Sequence, residues 1–294
     1  MRSKRKGGIY ALIKMDLRML ALGLSAVLIA AAAVITASAM NAGEGVRIPV
    51  VMYHSVLKDE ARHGKYVISP AEFENDLLYL KKHGYTTILM EDLINYTRGG
   101  ELPEKPVLLT FDDGYYNNYL YAFAIAKKYQ CKFVISPIGR YADLYSGTDE
   151  NNAYYSHATW DQLKEMADSG LVEVQNHSYD MHETRQGAQG VKQRPGESDS
   201  AYRERLTADV TKAQEAIKDH LGEYPTTFTY PFGAVSKTTP GIIKELGFSA
   251  TLGCRETIST VTRDPESLYG LGRFLRESGM SPQTFFEKRM KLSP

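Results

Sequence analysis

Leu108-Leu109-Thr110-Phe111-Asp112-Asp113-Gly114-Tyr115 is an apolar run that ends in two consecutive carboxylates and a glycine turn. An apolar run of this length bounded by a turn signal reads as a buried strand. Further on, Leu171 to Val174 repeats the arrangement and is followed by Asn176-His177-Ser178-Tyr179-Asp180-Met181-His182. One carboxylate and two imidazoles delivered from separate strand ends would complete the protein side of an open three-ligand zinc site. The second carboxylate stays free to act as a base, so the pattern points to metal-assisted hydrolysis.

The rest of the chain alternates short apolar runs with helical patterns. Pro49 to Tyr53 is the first strand, followed by a helix capped at Ser69-Pro70 that buries Phe73, Leu77 and Leu80 and stops at Gly84. Thr86 to Met90 reads as a strand with a short helix from Glu91. Val107 to Phe111 is followed by a helix through Lys128, and Lys132 to Ser136 is the next strand. Asp143 to Tyr155 reads as a polar loop, and Thr159 caps a helix through Ala167. After the strand Leu171 to Gln175 comes a Gly/Gln/Arg-containing loop, 186–200, and a charged helix to Leu221. Strand Thr227 to Tyr230, helix Thr239 to Leu246, strand Phe248 to Leu252 and helix Gln283 to Met290 complete the reading. Roughly seven βα units in one α/β domain favour a parallel barrel over an open sheet. His54, Asp112-Asp113, His177 and Pro231-Phe232-Gly233 each stand at the C-terminal end of an expected strand, the rim where barrel active sites collect.

Composition sets limits. The 294 residues are 43% apolar with 35 basic and 35 acidic side chains, so a nucleic-acid partner, which would need a basic balance, is not expected. Residues 1–18 are basic, and Met19 to Met40 runs 22 residues without a charge. That is long enough to span a bilayer with its N-terminus in the cytoplasm. Ala37-Ser38-Ala39 also resembles a signal cleavage site. The expectation is therefore an N-terminal anchor, or a secreted form cut near Ala39, with the domain 41–294 outside the cytoplasm as a monomer. Cys131 and Cys254, 123 residues apart, give no geometric evidence of a bridge.

Each candidate has a plain reading beside the chemical one. Asp112 and Asp113 could be a helix cap and a first-turn acid. His177 and His182, about 140° apart on a helix, converge only if their segment is a loop. Asp180 reads as solvent-exposed, and His63, His83, His157 and His220 as solvated. Trp160 reads as helix packing, whereas Tyr115, Tyr116 and Tyr230 are candidates for a sugar-lining wall. His54, closing the first strand, could supply a proton to a leaving amine.

Thr110-Phe111-Asp112-Asp113-Gly114, His177-Ser178 with His182, and Tyr230-Pro231-Phe232-Gly233 together resemble the motifs of the polysaccharide deacetylases, the NodB homology domain of carbohydrate esterase family 4. The resemblance spans about Val46 to Pro294. It implies a deformed (β/α)7-type, TIM-like barrel with one divalent metal, usually Zn2+, with Co2+, Ni2+ or Fe2+ as alternatives. Asp113, His177 and His182 would be its ligands, Asp112 the base, and the Phe232 backbone N–H the oxyanion contact beside Pro231, which has none to donate. The implied partner is an acetylated polysaccharide such as peptidoglycan, poly-N-acetylglucosamine or a chitin-like polymer. Two departures stand out. The arginine that begins the third motif is replaced by Thr229-Tyr230, and the late Leu-x-His reads Leu271-Gly272-Arg273. A branch resembling the poly-N-acetylglucosamine deacetylases carries its acid histidine on the first strand, which fits His54. Arg273 and Arg276 are the candidates for orienting Asp112. An O-acetyl esterase, a glycan-binding barrel without turnover and a glycosidase pairing Asp112 with a distant glutamate are the competing readings.

Overall fold

Seven short strands, most of them apolar, line up in parallel in the computed structural model, which describes residues 45–184 and 189–293. They are β1 (Val50–Tyr53), β2 (Pro106–Asp113), β3 (Phe133–Pro137), β4 (Val172–Val174), β5 (Thr227–Thr229), β6 (Ala250–Leu252) and β7 (Phe274–Leu275). β7 pairs with β1, β1 with β2, β2 with β3 and β3 with β4, all in parallel register. The bridge Asn176↔Phe228 carries the ladder from the end of β4 to β5, which pairs with β6. A bridge from Leu252 to Leu271, just before β7, closes the ring. All eight positions of β2 are buried, as a strand covered on both faces requires.

Alternation along the strands separates two apolar layers. Val51, Tyr53, Leu109 and Phe111 face outward into a cluster with Phe73, Leu77 and Leu80 of the helix Pro70–Lys82. Val50, Leu108, Val134, Ala250 and Leu252 fill the closed end of the ring. The interior positions further along the strands become polar, with Met52 followed by Thr110, Asp112 and Ser136. Helix starts are held by the capping boxes expected from local sequence. Ser69 Oγ accepts from Glu72 N at 3.1 Å while Glu72 returns a 2.8 Å bond to Ser69 N, and Thr159 with Gln162 does the same for Trp160–Asp168.

Several boundaries differ from the sequence reading. The strand expected over Thr86 to Met90 stops at Ile88, because Asp92 accepts from Leu89 N at 2.8 Å and starts the helix Met90–Thr97. This strand pairs only with the first three residues of β2 and stays outside the ring. The polar stretch read as a loop from Asp143 is helical over Gly139–Ser146. Asp143 ties down Trp160 Nε1 and the Tyr179 hydroxyl, both at 2.7 Å. Two strand pairs flank the ring, Val46–Ile48 with Ser259–Val261 and Ser55–Val56 with Val67–Ile68. The basic segment 1–18, the apolar segment 19–40 and the cleavage site at Ala39 lie outside the described residues. No helix among the described residues is long and apolar enough to cross a membrane.

Candidate active site

Adjacent residues of an extended chain point to opposite faces, and this divides the two carboxylates of β2. Asp112 continues the interior face of Leu108 and Thr110. Asp113 leaves the strand with φ 69, followed by Gly114 at φ 73, so the chain turns sharply over the rim. A Cβ on Gly114 would lie 2.6 Å from Pro137 Cβ, which leaves that turn to glycine. At the end of β4 a second reversal occurs. Ser178, at φ 70, donates its N–H to Asn176 Oδ1 at 2.7 Å and accepts from Met181 N at 3.2 Å. The segment is thus a tight loop, and the rings of His177 and His182 stand 5.3 Å apart. Phe232, at φ 58, makes a third turn. Of five non-glycine residues with positive φ among the described residues, three belong to the segments that build this site. Such strain persists where surrounding structure over-determines the backbone.

Asp113, His177 and His182 offer one ligand atom each within 4.8 Å of one another. Asp113 Oδ1 lies 3.2 Å from His182 Nε2 and 3.5 Å from His177 Nε2. Two ligands of one tetrahedral zinc are about 3.4 Å apart. His177 Nδ1 is 2.8 Å from the Thr229 carbonyl, which can only accept, so the proton of the neutral ring sits on Nδ1 and Nε2 presents a lone pair. Asp113 Oδ1 is buried without a hydrogen-bond partner. Lone pairs facing one another across this distance need a cation between them. Without one, burial works against a charge on His177, yet the negative charges of the adjacent Asp113 and of Asp112 draw its pKa upward. The donor set of one carboxylate and two imidazoles suits zinc or a similar first-row divalent ion.

Asp112 is gripped end-on by Arg273, with Nη1 to Oδ1 at 2.6 Å and Nη2 to Oδ2 at 2.8 Å. Burial pushes its carboxyl up, but the Arg273 charge and the nearby His177 hold it below the usual range. Arg273, fully buried, also donates to the Thr110 hydroxyl and the Gly253 carbonyl. It thereby fixes the orientation of the Asp112 carboxylate. Arg276 does not. Three residues further along the extended β7 segment it leaves from the opposite face and forks onto Asp76 instead.

A cleft of about 650 Å³ opens over these groups, lined by His54, Asp112, Asp113, His177, His182 and Phe232, with Tyr66, Tyr115 and Tyr154 as aromatic walls. His54 packs 4.9 Å from Tyr66, its Nδ1 is buried without a partner, and burial lowers its pKa. Phe232 is 43% exposed with its ring 4.1 Å from that of His182, while Pro231 is buried beneath it. Burial raises the Tyr115 hydroxyl pKa.

Three expectations need correction besides Arg276. Tyr230 packs against Phe228 in a separate apolar cluster and does not line the cleft, nor does Tyr116. His157 is buried, with Nδ1 2.9 Å from the Asp113 carbonyl. The strand end, not a helix cap, holds Asp112 and Asp113. Asp180 is exposed and paired with Arg140, as its plain reading had it. Trp160 is buried in helix packing, again as read. Cys254 borders the cleft and Cys131 is buried elsewhere, both as free thiols. Tyr66 and Tyr154 were not singled out from sequence, where nothing marks them, and Cys254 was weighed there only for a bridge to Cys131.

A profile of the polysaccharide deacetylases matches residues 99–251. The poly-beta-1,6-N-acetyl-D-glucosamine N-deacetylase of Escherichia coli K12 is 28% identical over 218 residues, 67% of this chain and 32% of that protein. This chain thus spans about a third of that relative's length. Among solved structures, a de-N-acetylase from Aggregatibacter actinomycetemcomitans superposes with a TM-score of 0.69 at 27% identity, covering 82% of this chain and all of that one. IcaB from Ammonifex degensii gives a TM-score of 0.65 at 30% identity over 82% of this chain and 95% of the other.

Proposed function

This chain belongs to the polysaccharide deacetylase family, and from that premise we propose that it removes N-acetyl groups from an amino-sugar polymer, poly-β-1,6-linked N-acetylglucosamine or a close relative, as a metal-dependent hydrolase working outside the cytoplasm. The observation that carries the reading is the meeting of Asp113, His177 and His182 beside the Arg273-held Asp112 at the floor of one cleft. The relatives named for poly-β-1,6-N-acetylglucosamine supply the substrate class. The basic residues 1–18 and the apolar run 19–40 support export, with the domain anchored or released after Ala39.

Asp113, His177 and His182 would hold the ion, zinc by preference. When bound it supplies Lewis acidity toward the acetamide carbonyl and toward water. The remaining steps fall to the chain. Asp112, kept ionised by Arg273, takes a proton from the attacking water as the C–O bond forms. The backbone N–H of Phe232 stabilises the negative oxygen of the tetrahedral intermediate. His54 gives a proton to the sugar nitrogen as the C–N bond breaks, leaving acetate and a free amine. Tyr66, Tyr115 and Tyr154 offer faces for stacking sugar rings.

The test is acetate release by the full chain from a panel of acetylated polymers, with and without a chelator. Chelator-sensitive acetate release from N-acetylglucosamine polymers is expected. Acetate from O-acetylated xylan alone would move the reading to an esterase, new reducing ends to a glycosidase, and bound metal with no product to a glycan-binding barrel.

A further inference from the structure

The Asp113 ligand sits on a backbone that no local sequence rule holds in place. A left-handed φ of 69 followed by a glycine at φ 73 is a reversal that an isolated strand end would not keep. What fixes it comes from the segment 156–158, more than forty residues away. Tyr116 N donates to Ser156 O at 2.8 Å, Ala158 N donates to Gly114 O at 2.8 Å, and Tyr115 and His157 form an antiparallel bridge. In the middle of this clasp His157 Nδ1 reaches the Asp113 carbonyl at 2.9 Å. That oxygen can only accept, so Nδ1 carries the proton and the ring is a donor by construction. Its other bond is longer, from Ile138 N at 3.4 Å. The imidazole is itself packed among aromatic rings, 4.4 Å from Tyr141, 4.7 Å from Tyr115 and 5.8 Å from Tyr145.

We propose that His157 is a positioning residue for the metal site. By donating to the Asp113 backbone it holds the ligand carboxylate in the turned-over conformation that faces His177 and His182. This rests on the metal-site reading above. Loss of a partner that orients a ligand from outside typically costs about 10- to 100-fold in metal affinity. The aromatic column fixes the ring, and the ring fixes the turn.

Two substitutions separate the donor from the packing. His157→Phe keeps an aromatic ring for Tyr115 and Tyr141 and removes the N–H. His157→Asn keeps a donor near the Nδ1 position and removes the ring. Zinc titration of the chelator-stripped full chain by calorimetry should show His157→Phe weakened about 10- to 100-fold, and His157→Asn within a few-fold of wild type. Thermal melts of the stripped proteins give the fold's own stability apart from metal. Equal zinc affinity in His157→Phe and wild type would overturn the proposal. So would an equal loss in both variants, which would assign the effect to the aromatic column. Failure of the wild type to bind zinc would instead refute the metal site itself. Should His157→Phe not fold, His157→Leu, which also removes the donor, serves in its place. A loss of about 10- to 100-fold there with His157→Asn near wild type supports the donor role, whereas wild-type affinity in His157→Leu, or an equal loss in both, overturns it.

Discussion

Two aspartate–arginine pairs lie buried in this molecule, and their arginines, Arg273 and Arg276, stand only three residues apart on one extended segment. Both guanidinium groups are fully inaccessible, and each forks onto a carboxylate. Arg273 meets Asp112 end-on through both Nη atoms, one bond per oxygen. Arg276 meets Asp76 side-on through Nε at 2.8 Å and Nη2 at 3.1 Å, and the Tyr53 hydroxyl adds a third bond at 3.1 Å. Arg276 also donates to the Glu277 and Met280 carbonyls and so closes the C-terminal segment onto the helix Pro70–Lys82. Asp76 has no exposed surface, whereas Asp112 lines the cleft. A buried ion pair is thus not in itself a sign of catalysis. In the proposed mechanism the pair used for chemistry is the one whose carboxylate opens onto the cleft.

Removing each carboxylate in turn tests that contrast most severely. Asp112→Asn is expected to lower the kcat of acetate release by about 10²- to 10⁴-fold, the usual worth of a general base. Asp76→Ala should leave kcat within about two-fold while costing roughly 3–5 kcal/mol of stability, because the Arg276 charge is left buried without its carboxylate. Steady-state kinetics and denaturant melts on both variants read the two effects separately. Near-normal turnover in Asp112→Asn, or a large kcat loss in Asp76→Ala, breaks the comparison.

A smaller effect distinguishes holding a base from merely neutralising it. Lysine keeps the charge of arginine but not the planar fork. Arg273→Lys should therefore lower kcat by about 10- to 100-fold, the scale of a base displaced by about an ångström, with KM little changed. Arg276→Lys should lower Tm and leave kcat alone. If both lysine variants behave alike, the end-on fork has no positioning role.

How much of this was legible beforehand depends on how local the signal was. Asp112 with Asp113, and His177 with His182, each follow an apolar strand within a few residues, and the structure brings all four to one place. The parallel ring was legible because β1 to β6 carry apolar runs. β7 was not, since two residues cannot show alternation, and with it went the means of telling Arg273 from Arg276. Had Phe274 and Leu275 been seen as a strand, period-two alternation would have sent the two arginines to opposite faces. The helix Gly139–Ser146 was hidden by polar side chains whose partners, Trp160 and Tyr179, are contacts at a distance. His157 was read as solvated because its acceptor is a backbone carbonyl 44 residues earlier. Tyr230, two residues before the cleft residue Phe232, was misassigned because a turn at Phe232 changes which side chains face out.

The finest separation of the two pairs is their response to acid. Burial, acting against the Arg276 charge, pushes Asp76 up to about 6, whereas Arg273 keeps Asp112 below its ordinary value. The signs are therefore opposite. Between the unfolded value near 4 and about 6, native Asp76 binds a proton that the unfolded chain does not, so its contribution to stability is full below that window and is lost as pH rises through about 6. The depressed Asp112 contributes stability that is present above the unfolded value and is lost only as pH falls below it, so its contribution stays level from pH 8 to pH 5. The Tm gap between wild type and Asp76→Ala should widen by about 2–4 °C on going from pH 8 to pH 5, roughly 1 kcal/mol for a domain of this size. The gap to Asp112→Asn, measured on the zinc-loaded protein so that His177 and His182 stay neutral, should change less over the same range. Thermal melts at half-unit pH steps measure both, and a gap to Asp76→Ala that narrows toward pH 5 would mean that Arg276 outweighs burial and that both carboxylates are held down alike.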